Sequence, residues 1–419
     1  MARRAHLAYQ EPVDTPELTL RTLTADDTEA FGSLLARAFL NDPHGGPGVE
    51  IYRRITAQGR TIGVYDADRI VGGGVILNLS VTLPGGAVTP FAAVSGIAVA
   101  ADHRRLGILT RIMRAQLHGL HERGGEPFAA LWASESRIYR RFGYGEASLY
   151  ARFEIPKGAE FRPGVQLSPD PIRELSTDEA RPLIEEIYAK ALPRHVGRLS
   201  RDSLGWDEAL LDEEGQREGM SALRFAVHPE GYAMYRVQGG RDDRGPAGLL
   251  SVVEVMATTG AAHASLWRYL LDMDLVRTIN GRAGSNDPVR HLLAEPVNTK
   301  WQLLPAHWVR IVDVDRALTA RRYGRPLDVV FEVTDEFCPW NAGRWRLTVD
   351  DSGVAKVIRT DDAPDIATDI LDLGAVFLGG IRLSTLASTG RVRELTDGAV
   401  AAATMAFLSD QEPDTIEIF

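Results

Sequence analysis

The sequence predicts a mixed α/β protein of the α+β class with two or three domains. A chain of 419 residues is longer than one hydrophobic core normally accommodates. In the N-terminal third, the predicted order is helix, helix, strands, a strand–turn–helix unit, strand and helix, which is typical of layered α/β folds. The middle third repeats the strand-then-helix order, and the last third changes to short strands followed by helices.

Composition and charge exclude several classes of protein. Hydrophobic residues (44%) and charged residues (25%) occur at the levels of a soluble globular protein. The net charge of −10 argues against general binding to nucleic acid or anionic membranes and suits a cationic substrate, although many cytosolic enzymes are equally acidic. The single cysteine, Cys338, excludes an internal disulfide. Because no apolar run could span a bilayer and the basic N-terminus lacks a signal-peptide core, we expect a cytoplasmic protein.

A helix, a loop and a strand meander open the chain. Thr24 is predicted to cap a helix that runs to Phe39, because acidic residues follow it in the first turn. The turn-forming residues 41–47 end this helix, and a second helix covers residues 51–55. Alternating apolar residues then predict strands at 61–65, 70–80 and 89–99.

The N-terminal third is organised around residues 94–117, VSGIAVAADHRRLGILTRIMRAQL. Its β-branched residues favour a strand that ends at Val99. Apolar residues at helical spacing predict a helix that starts at Ile108 and ends near Gly124. A helix N-terminus presents unpaired N–H groups and the positive end of the helix dipole, so it is a natural site for a pyrophosphate.

The turn before this helix carries the residue types that an anion site needs. Arg104 and Arg105 supply positive charge and forked donors, and Gly107 allows the backbone to approach an anion closely. The alternative is a surface turn that carries two arginines and binds no ligand.

A second informative segment lies at residues 134–144. Residues 128–133 predict a short buried strand that leads into the sequence SESRIYRRFGY. Ser134 is expected to cap a short helix that contains Tyr139.

Two of these segments resemble a known family. Residues 104–109, RRLGIL, resemble the coenzyme A pyrophosphate loop (Q/R-x-x-G-x-G/A) of the GNAT acetyltransferases. The wider HRRLGILTRIM, together with ASESRIYRRFGYG downstream, resembles the Eis (enhanced intracellular survival) branch of that superfamily. Leu109 replaces the last small residue of the general loop, which is similar to what the Eis branch carries.

The resemblance implies three domains. Residues 1–160 would form the catalytic GNAT domain, which binds acetyl-CoA. Residues 161–312 would form a second, degenerate GNAT domain, and residues 313–419 a sterol-carrier-like domain that supplies its C-terminal carboxylate to the first. The turn-rich residues 157–171 support the first boundary. The absence of an arginine–glycine turn after strand 248–257, where Thr258-Thr259-Gly260 stands instead, supports the degeneracy.

Periodicity predicts the elements of these two later domains. The middle region is expected to contain helices at 178–192, 204–214 and 261–273, a hairpin at 223–237, and strands at 248–257 and 307–312. The last region is expected to contain strands at 327–333, 343–349 and 355–359, and helices at 317–323, 372–378, 381–388 and 399–407. Residues 415–419 are expected to form a β-rich terminal segment that docks on the first domain.

Acetyl-CoA is the expected co-substrate, and no metal is expected because the histidines are scattered. Backbone N–H groups near Ile97 and Val99 could pair with the pantetheine amides like an added strand, although simple strand packing explains the same pattern. The expected acetyl-CoA contacts are Ile97, Ala98, Val99, Arg104, Arg105, Gly107, Ile108, Leu109, Thr110, Ser134 and Glu135.

The resemblance assigns two catalytic groups. Tyr139 would be the general acid that protonates the leaving thiolate, since a neutral phenol can donate a proton without prior charging. Tyr144 is the rival for this role. The C-terminal carboxylate of Phe419 would be the general base that takes the proton of the attacking amine.

The acceptor site departs from the family pattern. Asn41 stands where an aspartate is expected, with Asp42 beside it, and Ile418 stands where a glutamate is expected, with Glu417 one residue earlier. Trp132 replaces a histidine that is thought to assist catalysis. The expected substrate contacts are Phe39, Asp42, Ser95, Trp132 and Glu417.

The implied acceptor is an amine-rich small molecule such as an aminoglycoside, acetylated at one or several positions. A lysine side chain of a protein or peptide is the alternative acceptor, and a non-catalytic CoA- or lipid-binding protein is a second alternative. A homohexamer is expected by resemblance.

Overall fold

The computed structural model describes residues 17–41 and 53–419. They form two compact units. The first unit takes the described residues up to Ile76 together with 96–113, and the second takes 77–95 together with 114–419. Asp42, the 42–47 part of the predicted loop and residues 51–52 of the predicted second helix lie outside the described residues. None of the helices within 17–41 and 53–419 has the length and apolar composition needed to span a bilayer.

The elements of the N-terminal third agree closely with the predicted ones. They are β1 (Leu18–Thr22), α1 (Thr28–Ala38), β2 (Thr61–Asp66), β3 (Arg69–Thr82), β4 (Val88–Val99), α2 (Ile108–Glu122), β5 (Phe128–Trp132), α3 (Ser136–Tyr139), β6 (Gly145–Glu146) and β7 (Leu149–Pro156). A further helical turn covers residues 53–56. β3, β4 and α2 each continue from one unit into the other.

The middle third contains more strands than helices. Its elements are β8 (Arg173–Leu175), α4 (Thr177–Ala191), α5 (Ser203–Ala209), β9 (Arg224–His228), β10 (Gly231–Gln238), β11 (Arg241–Asp242), β12 (Gly245–Pro246), β13 (Gly248–Ala257), α6 (Gly260–Leu271), β14 (Val276–Gly284), α7 (Val289–Leu292), β15 (Lys300–Pro305) and β16 (His307–Ile311).

The last third ends in helices. Its elements are α8 (Val314–Ala320), β17 (Leu327–Thr334), β18 (Gly343–Val349), β19 (Ala355–Arg359), β20 (Ile366–Asp369), α9 (Ile370–Val376), α10 (Leu383–Ser388), β21 (Arg393–Glu394) and α11 (Ala399–Phe407).

Within the first unit, β1, β2 and β3 form an antiparallel meander. Thr24 caps a 3-10 turn that leads into α1, and its N–H donates to the Asp27 carboxylate at 2.8 Å, which completes a capping box. The buried face of α1 includes Phe31, Leu34 and Leu35, which recur at helical spacing. The start of α2 and the end of β4 join this core through Ile108, Ile112 and Ala98.

Within the second unit, β4 pairs with β5 in parallel, and β16 pairs with both β5 and β6 in antiparallel fashion. A separate seven-stranded sheet has the order β15-β7-β14-β13-β10-β9-β8. A five-stranded sheet has the order β19-β18-β17-β20-β21. Helix α11 contacts β17 of this sheet, and α9 contacts β20. By position, β7 falls in the first predicted domain (residues 1–160) and β16 in the second (residues 161–312). Each nevertheless pairs with strands of the other: β7 with β14 and β15, and β16 with β5 and β6.

Two local predictions are wrong, and several strands, among them β1, β7, β14 and β15, were not predicted. The helix predicted at 204–214 is only Ser203–Ala209. Beyond its end, the Asp212 carboxylate is bound by Arg217 and Arg236 and accepts a hydrogen bond from the Leu223 N–H at 2.9 Å, contacts that tie Asp212 to the segments that follow. The short strand Ile366–Asp369 was not predicted. Residues 415–419 do not form the predicted β-strand. They are nevertheless packed against the protein, with Thr415 and Ile416 buried.

Candidate active site

The turn that precedes α2 is held by a cluster of charged side chains in the first unit. His103 is buried, with Nε2 at 3.0 Å from an Asp66 oxygen and Nδ1 at 2.9 Å from an Asp102 oxygen. Arg69 holds the same Asp102 carboxylate from the other side at 2.6 and 3.2 Å. The hydrogen bonds to Asp66 and Asp102 raise the pKa of His103, and Arg69 followed by His103 lowers the pKa of Asp102.

The backbone of this turn contains two residues in the left-handed conformation. Arg105 and Gly107 have φ values of +68° and +76°. A Cβ added to Gly107 would meet nothing within 4 Å, so the glycine is needed for its conformation and not for space. The N–H of Arg111 donates to the Gly107 carbonyl at 3.0 Å. The N–H groups of Ile108, Leu109 and Thr110 therefore precede the helical ladder, and they point in the direction in which a helix start binds an anion.

A cavity of about 450 Å³ lies beside the turn, between α1, the start of β3 and the end of β4. Arg37, Arg69 and Arg104 give it positive charge, and Leu34, Ile70 and Val99 supply apolar surface. Its lining residues are Ala30, Ser33, Leu34, Arg37, Ala38, Arg69, Ile70, Val99, Ala100, Ala101, Asp102 and Arg104. The combination suits an anionic ligand with an apolar part.

The end of β4 is irregular. The parallel ladder of β4 with β5 pairs Ala92 with Ala129 and Ala93 with Ala130. Gly96 then has a φ of +57°, a left-handed conformation inside a strand that redirects the following N–H group. Beyond it, Ile97 and Val99 are half-buried and Ala98 is buried. The glycine inside an otherwise regular strand pattern was the available sequence signal for this irregularity.

The Tyr139 segment differs from the prediction at its start. Helix α3 begins at Ser136 and its N-cap is Glu135, so Ser134 is not the cap; Ser134 and Glu135 are both exposed. The helix is short because the 3-10 turn after it ends at Gly143, with a φ of +82°. Tyr139 is half-buried, and burial, with a smaller effect of the Glu135 charge, raises its pKa to about 12.

Tyr144 has a different environment. Its side chain is fully buried, and its hydroxyl has no hydrogen-bond partner among the residues that the structure describes. Burial raises its pKa far above the usual value. Its ring lies 6.0 Å from that of Tyr139 in an edge-on contact. Of the two, only Tyr139 is accessible to a ligand.

The C-terminal residue docks on strands of the second unit. The ring of Phe419 makes edge-on contacts with Phe91 of β4 at 5.7 Å and with His307 of β16 at 5.2 Å. His307 is buried, and this burial lowers its pKa to about 4, so the imidazole is neutral at pH 7. Its Nε2 lies 3.2 Å from the Glu417 carbonyl, to which it can donate. Nothing in the sequence around His307 indicated this role.

The remaining predicted acceptor residues have varied environments. Trp132 lies in the second unit, 5.9 Å from the His307 ring and 5.0 Å from the Tyr150 ring. Phe39 is 47% exposed and belongs to the first unit, whereas Ser95 is half-buried in the second. The Glu417 carboxylate lies 3.3 Å from both Arg198 and Arg201 and is therefore engaged in ion pairs.

The predicted acetyl-CoA contacts and the two predicted catalytic groups are also divided between the units. Ile97, Ala98, Val99, Arg104, Arg105, Gly107, Ile108, Leu109 and Thr110 belong to the first unit. Ser134, Glu135, Tyr139 and Phe419 belong to the second. Within the first unit, Arg104 and Arg105 are exposed next to the start of α2, and Leu109 and Thr110 are half-buried within it.

Three family models match the chain. Two are acetyltransferase (GNAT) domains, at residues 19–147 and 197–311, and the third is a sterol carrier protein domain at residues 314–415. The chain therefore carries two GNAT domains followed by a sterol-carrier domain, as the resemblance implied.

Similar proteins span almost the whole chain. An uncharacterized N-acetyltransferase of Streptomyces avermitilis is 40% identical over 94% of this chain and 98% of its own length. N-acetyltransferase Eis of Mycobacterium tuberculosis is 35% identical over 94% of this chain and 97% of its own. The crystal structure of Eis1 from Mycobacterium abscessus has a TM-score of 0.84 at 31% identity, covering 96% of this chain and all of that one. The chain belongs to the Eis family of GNAT N-acetyltransferases.

Proposed function

We propose that this chain transfers the acetyl group of acetyl-CoA to primary amines of a cationic, amine-rich small molecule such as an aminoglycoside, at one or several positions. The observation that carries the proposal is the turn before α2. Two exposed arginines, the left-handed residues Arg105 and Gly107, and the unpaired N–H groups of the helix start together form a site suited to a pyrophosphate. The net charge of −10 favours a cationic acceptor.

The donor would lie along the end of β4. We assign the pyrophosphate to residues 104–110 and the pantetheine amides to the backbone of Ile97 and Val99, which would pair with them like an added strand. Gly96 supports this assignment, because its positive φ redirects the N–H of Ile97, which would then donate to the thioester oxygen. Ser134 and Glu135 complete the assigned set.

The reaction forms one bond, breaks another and transfers two protons. The amine nitrogen attacks the thioester carbon, the C–S bond breaks, and the thiolate of CoA takes a proton from Tyr139. The amine proton passes to the Phe419 carboxylate, and exchange with solvent restores both groups. With a pKa of about 12, Tyr139 is neutral at pH 7 and carries the proton that the proposed role requires.

The acceptor would contact Phe39, Asp42, Ser95 and Trp132. The partial exposure of Phe39 and the proximity of Trp132 to the docked tail support their inclusion. Glu417 is also expected in this set; one of its carboxylate oxygens is held by two arginines, so only the other oxygen is left for an acceptor.

A cytoplasmic homohexamer is part of the proposal and rests on family resemblance. Light scattering coupled to size-exclusion chromatography measures the number of chains; a monomer or dimer would contradict it.

An amine panel with a thiol-release assay tests the function. We expect release of CoA with an aminoglycoside at a kcat/KM well above that with a lysine peptide, and loss of turnover in a chain that lacks only Phe419. A preference for the lysine peptide would support the alternative acceptor. A chain that turns over no amine and binds lipid vesicles would instead be a lipid-binding protein, and full activity without Phe419 would exclude its carboxylate as the base.

A further inference from the structure

We infer that Arg198 and Arg201 form a buried socket that holds the acidic C-terminal segment and so positions the terminal carboxylate. The inference rests on the proposed function for the catalytic role of that carboxylate, but not for the existence of the socket. We call Tyr188, Arg198, Arg201 and Glu254 the tail socket, and residues 414–419 the tail. All of them belong to the second unit.

Arg198 and Arg201 contact both Glu254 of the tail socket and acidic residues of the tail. Arg198 is 3% exposed; its Nη1 donates to Glu254 at 2.9 Å, and its Nε donates to Asp414 at 2.9 Å. Arg201 donates to both Glu254 oxygens, at 2.9 and 2.6 Å. One oxygen of Glu417 lies 3.3 Å from each arginine and 3.0 Å from the Tyr188 hydroxyl.

The positive charge of the two arginines attracts the acidic tail to this site. Without the tail, two guanidinium groups face the single carboxylate of Glu254, which leaves one positive charge unpaired in a buried site. The tail adds two carboxylates. Burial alone would raise the pKa of Asp414, but Arg198 and His195 lower it, so Asp414 is ionised at pH 7. The His195 Nδ1 lies 3.1 Å from this carboxylate.

The anchored residue Glu417 lies close to the terminal carboxylate, so it restricts where that carboxylate can lie. Two residues separate Glu417 from the chain end, and an extended chain spans at most about 3.6 Å per residue, so the terminal carboxylate lies within about 7 Å along the chain from the anchored residue. His307 lies within hydrogen-bond distance of the Glu417 carbonyl, and the Phe419 ring contacts Phe91 and His307. Upstream, the Asp414 N–H donates to the Val196 carbonyl at 2.7 Å. The tail is therefore fixed at both ends.

Arg198 and Arg201 contact side chains of the tail and not the terminal carboxylate, so both are positioning residues. Replacing an arginine would leave buried carboxylates unpaired and could prevent folding, whereas a change in the tail leaves the socket intact. Glu417→Gln keeps the size of the side chain and removes its charge. Glu412→Gln is the matched control, because Glu412 lies two residues before the tail, is exposed, and accepts a hydrogen bond only from the Ser285 hydroxyl among the described residues, at 3.1 Å.

Full-length Glu417→Gln and Asp414→Asn test the inference by two readouts. Hydrogen–deuterium exchange of residues 414–419, followed by mass spectrometry, reports whether the tail is held. The thiol-release assay reports kcat and the KM for acetyl-CoA. We expect at least tenfold faster exchange in both variants, about tenfold lower kcat with an unchanged KM in Glu417→Gln, and no change in Glu412→Gln. Partial recovery in Glu417→Asp would support a role for the charge.

The outcomes separate the socket from the proposed function. Unchanged exchange in both Glu417→Gln and Asp414→Asn would overturn the socket whatever the activity. Faster exchange with unchanged kcat would support the socket as the tail's anchor, and would overturn the use of the Phe419 carboxylate as the base.

Discussion

Tyr139 and Tyr144 show how environment separates two residues that the sequence alone could not rank. Both are aromatic, both lie in the same short segment, and their rings touch edge to edge. Tyr144 is completely enclosed, whereas Tyr139 retains partial exposure and a pKa of about 12. His103 and His307 were not identified from the sequence, because the groups that define their roles, Asp66 for one and the chain end for the other, are distant along the chain.

Tyr139→Phe tests the proton donor. Without the hydroxyl, the thiolate must leave unprotonated, so we expect kcat to fall by about 10²- to 10⁴-fold with little change in the KM for acetyl-CoA. Steady-state thiol release measures both constants. Tyr144→Phe is the control: it removes a buried hydroxyl that has no partner among the described residues, so kcat and the melting temperature should not fall. Equal losses in the two variants would contradict the assignment.

His103 predicts a pH dependence of donor binding. Its pKa is raised in the folded protein, so the imidazolium between Asp66 and Asp102 stabilises the turn below the unfolded-state pKa of about 6.5, and this stabilisation is lost as pH rises through the folded-state pKa. We expect the affinity for acetyl-CoA to decrease as pH is raised through that value. Calorimetric titration across this range measures it. His103→Gln should show a flatter profile, and an identical slope would exclude His103 as the cause.

At the scale of elements, prediction succeeded where a periodic pattern was long. β13 and β18 have the predicted bounds to the residue, because alternation and flanking turns define them locally. It failed after α5, where Asp212 is held by residues that follow it in the chain, and it missed strands of different lengths, from the four-residue β20 to the nine-residue β14. The start of α3 was misplaced by one residue, from Ser134 to Glu135, because a cap depends on exact backbone geometry.

Gly107→Ala tests the start of α2 as an anion site. Alanine fits the space but not the positive φ, so the turn must distort at a cost of about 1 kcal/mol. Gly124→Ala is matched to it, because Gly124 follows the other end of α2 with a φ of +59° and equally open surroundings. We expect similar losses in melting temperature, but a higher KM for acetyl-CoA only in Gly107→Ala. An increase in both, or in neither, would contradict a binding role.

At the scale of the whole molecule, the sequence predicted three sheet-containing regions but not which strands share a sheet. β16 pairs with β5 although Val309 follows Ala130 by 179 residues, and β7 pairs with β14 and β15. Register and partner are set by contacts distant in the chain, on which local periodicity carries no information. The division of β3, β4 and α2 between two compact units was likewise absent from the sequence pattern.

A buried ion pair connects β16 with the segment after β17. Arg310 lies 2.9 and 2.7 Å from the two oxygens of Asp335, and both side chains are almost fully buried. Asp335→Ala would leave a buried guanidinium unpaired, so we expect a loss of about 3–5 kcal/mol in urea unfolding. The double variant Arg310→Met/Asp335→Leu should recover part of this loss, since it removes both charges but still deprives the Cys338 N–H and the Asn341 amide of the acceptor that Asp335 provides. A single variant as stable as the wild type would show that the pair is not needed.

The pairing of β16 with a strand of the N-terminal third has a consequence for biosynthesis. A ribosome makes the chain from its N-terminus, and β5 acquires its β16 neighbour only when residues 307–311 have emerged, after about three quarters of the chain is complete. Until then, one edge of β5 is open to pairing with other chains. A transcript truncated before residue 307 should therefore yield an aggregation-prone product, although it encodes the whole first GNAT match.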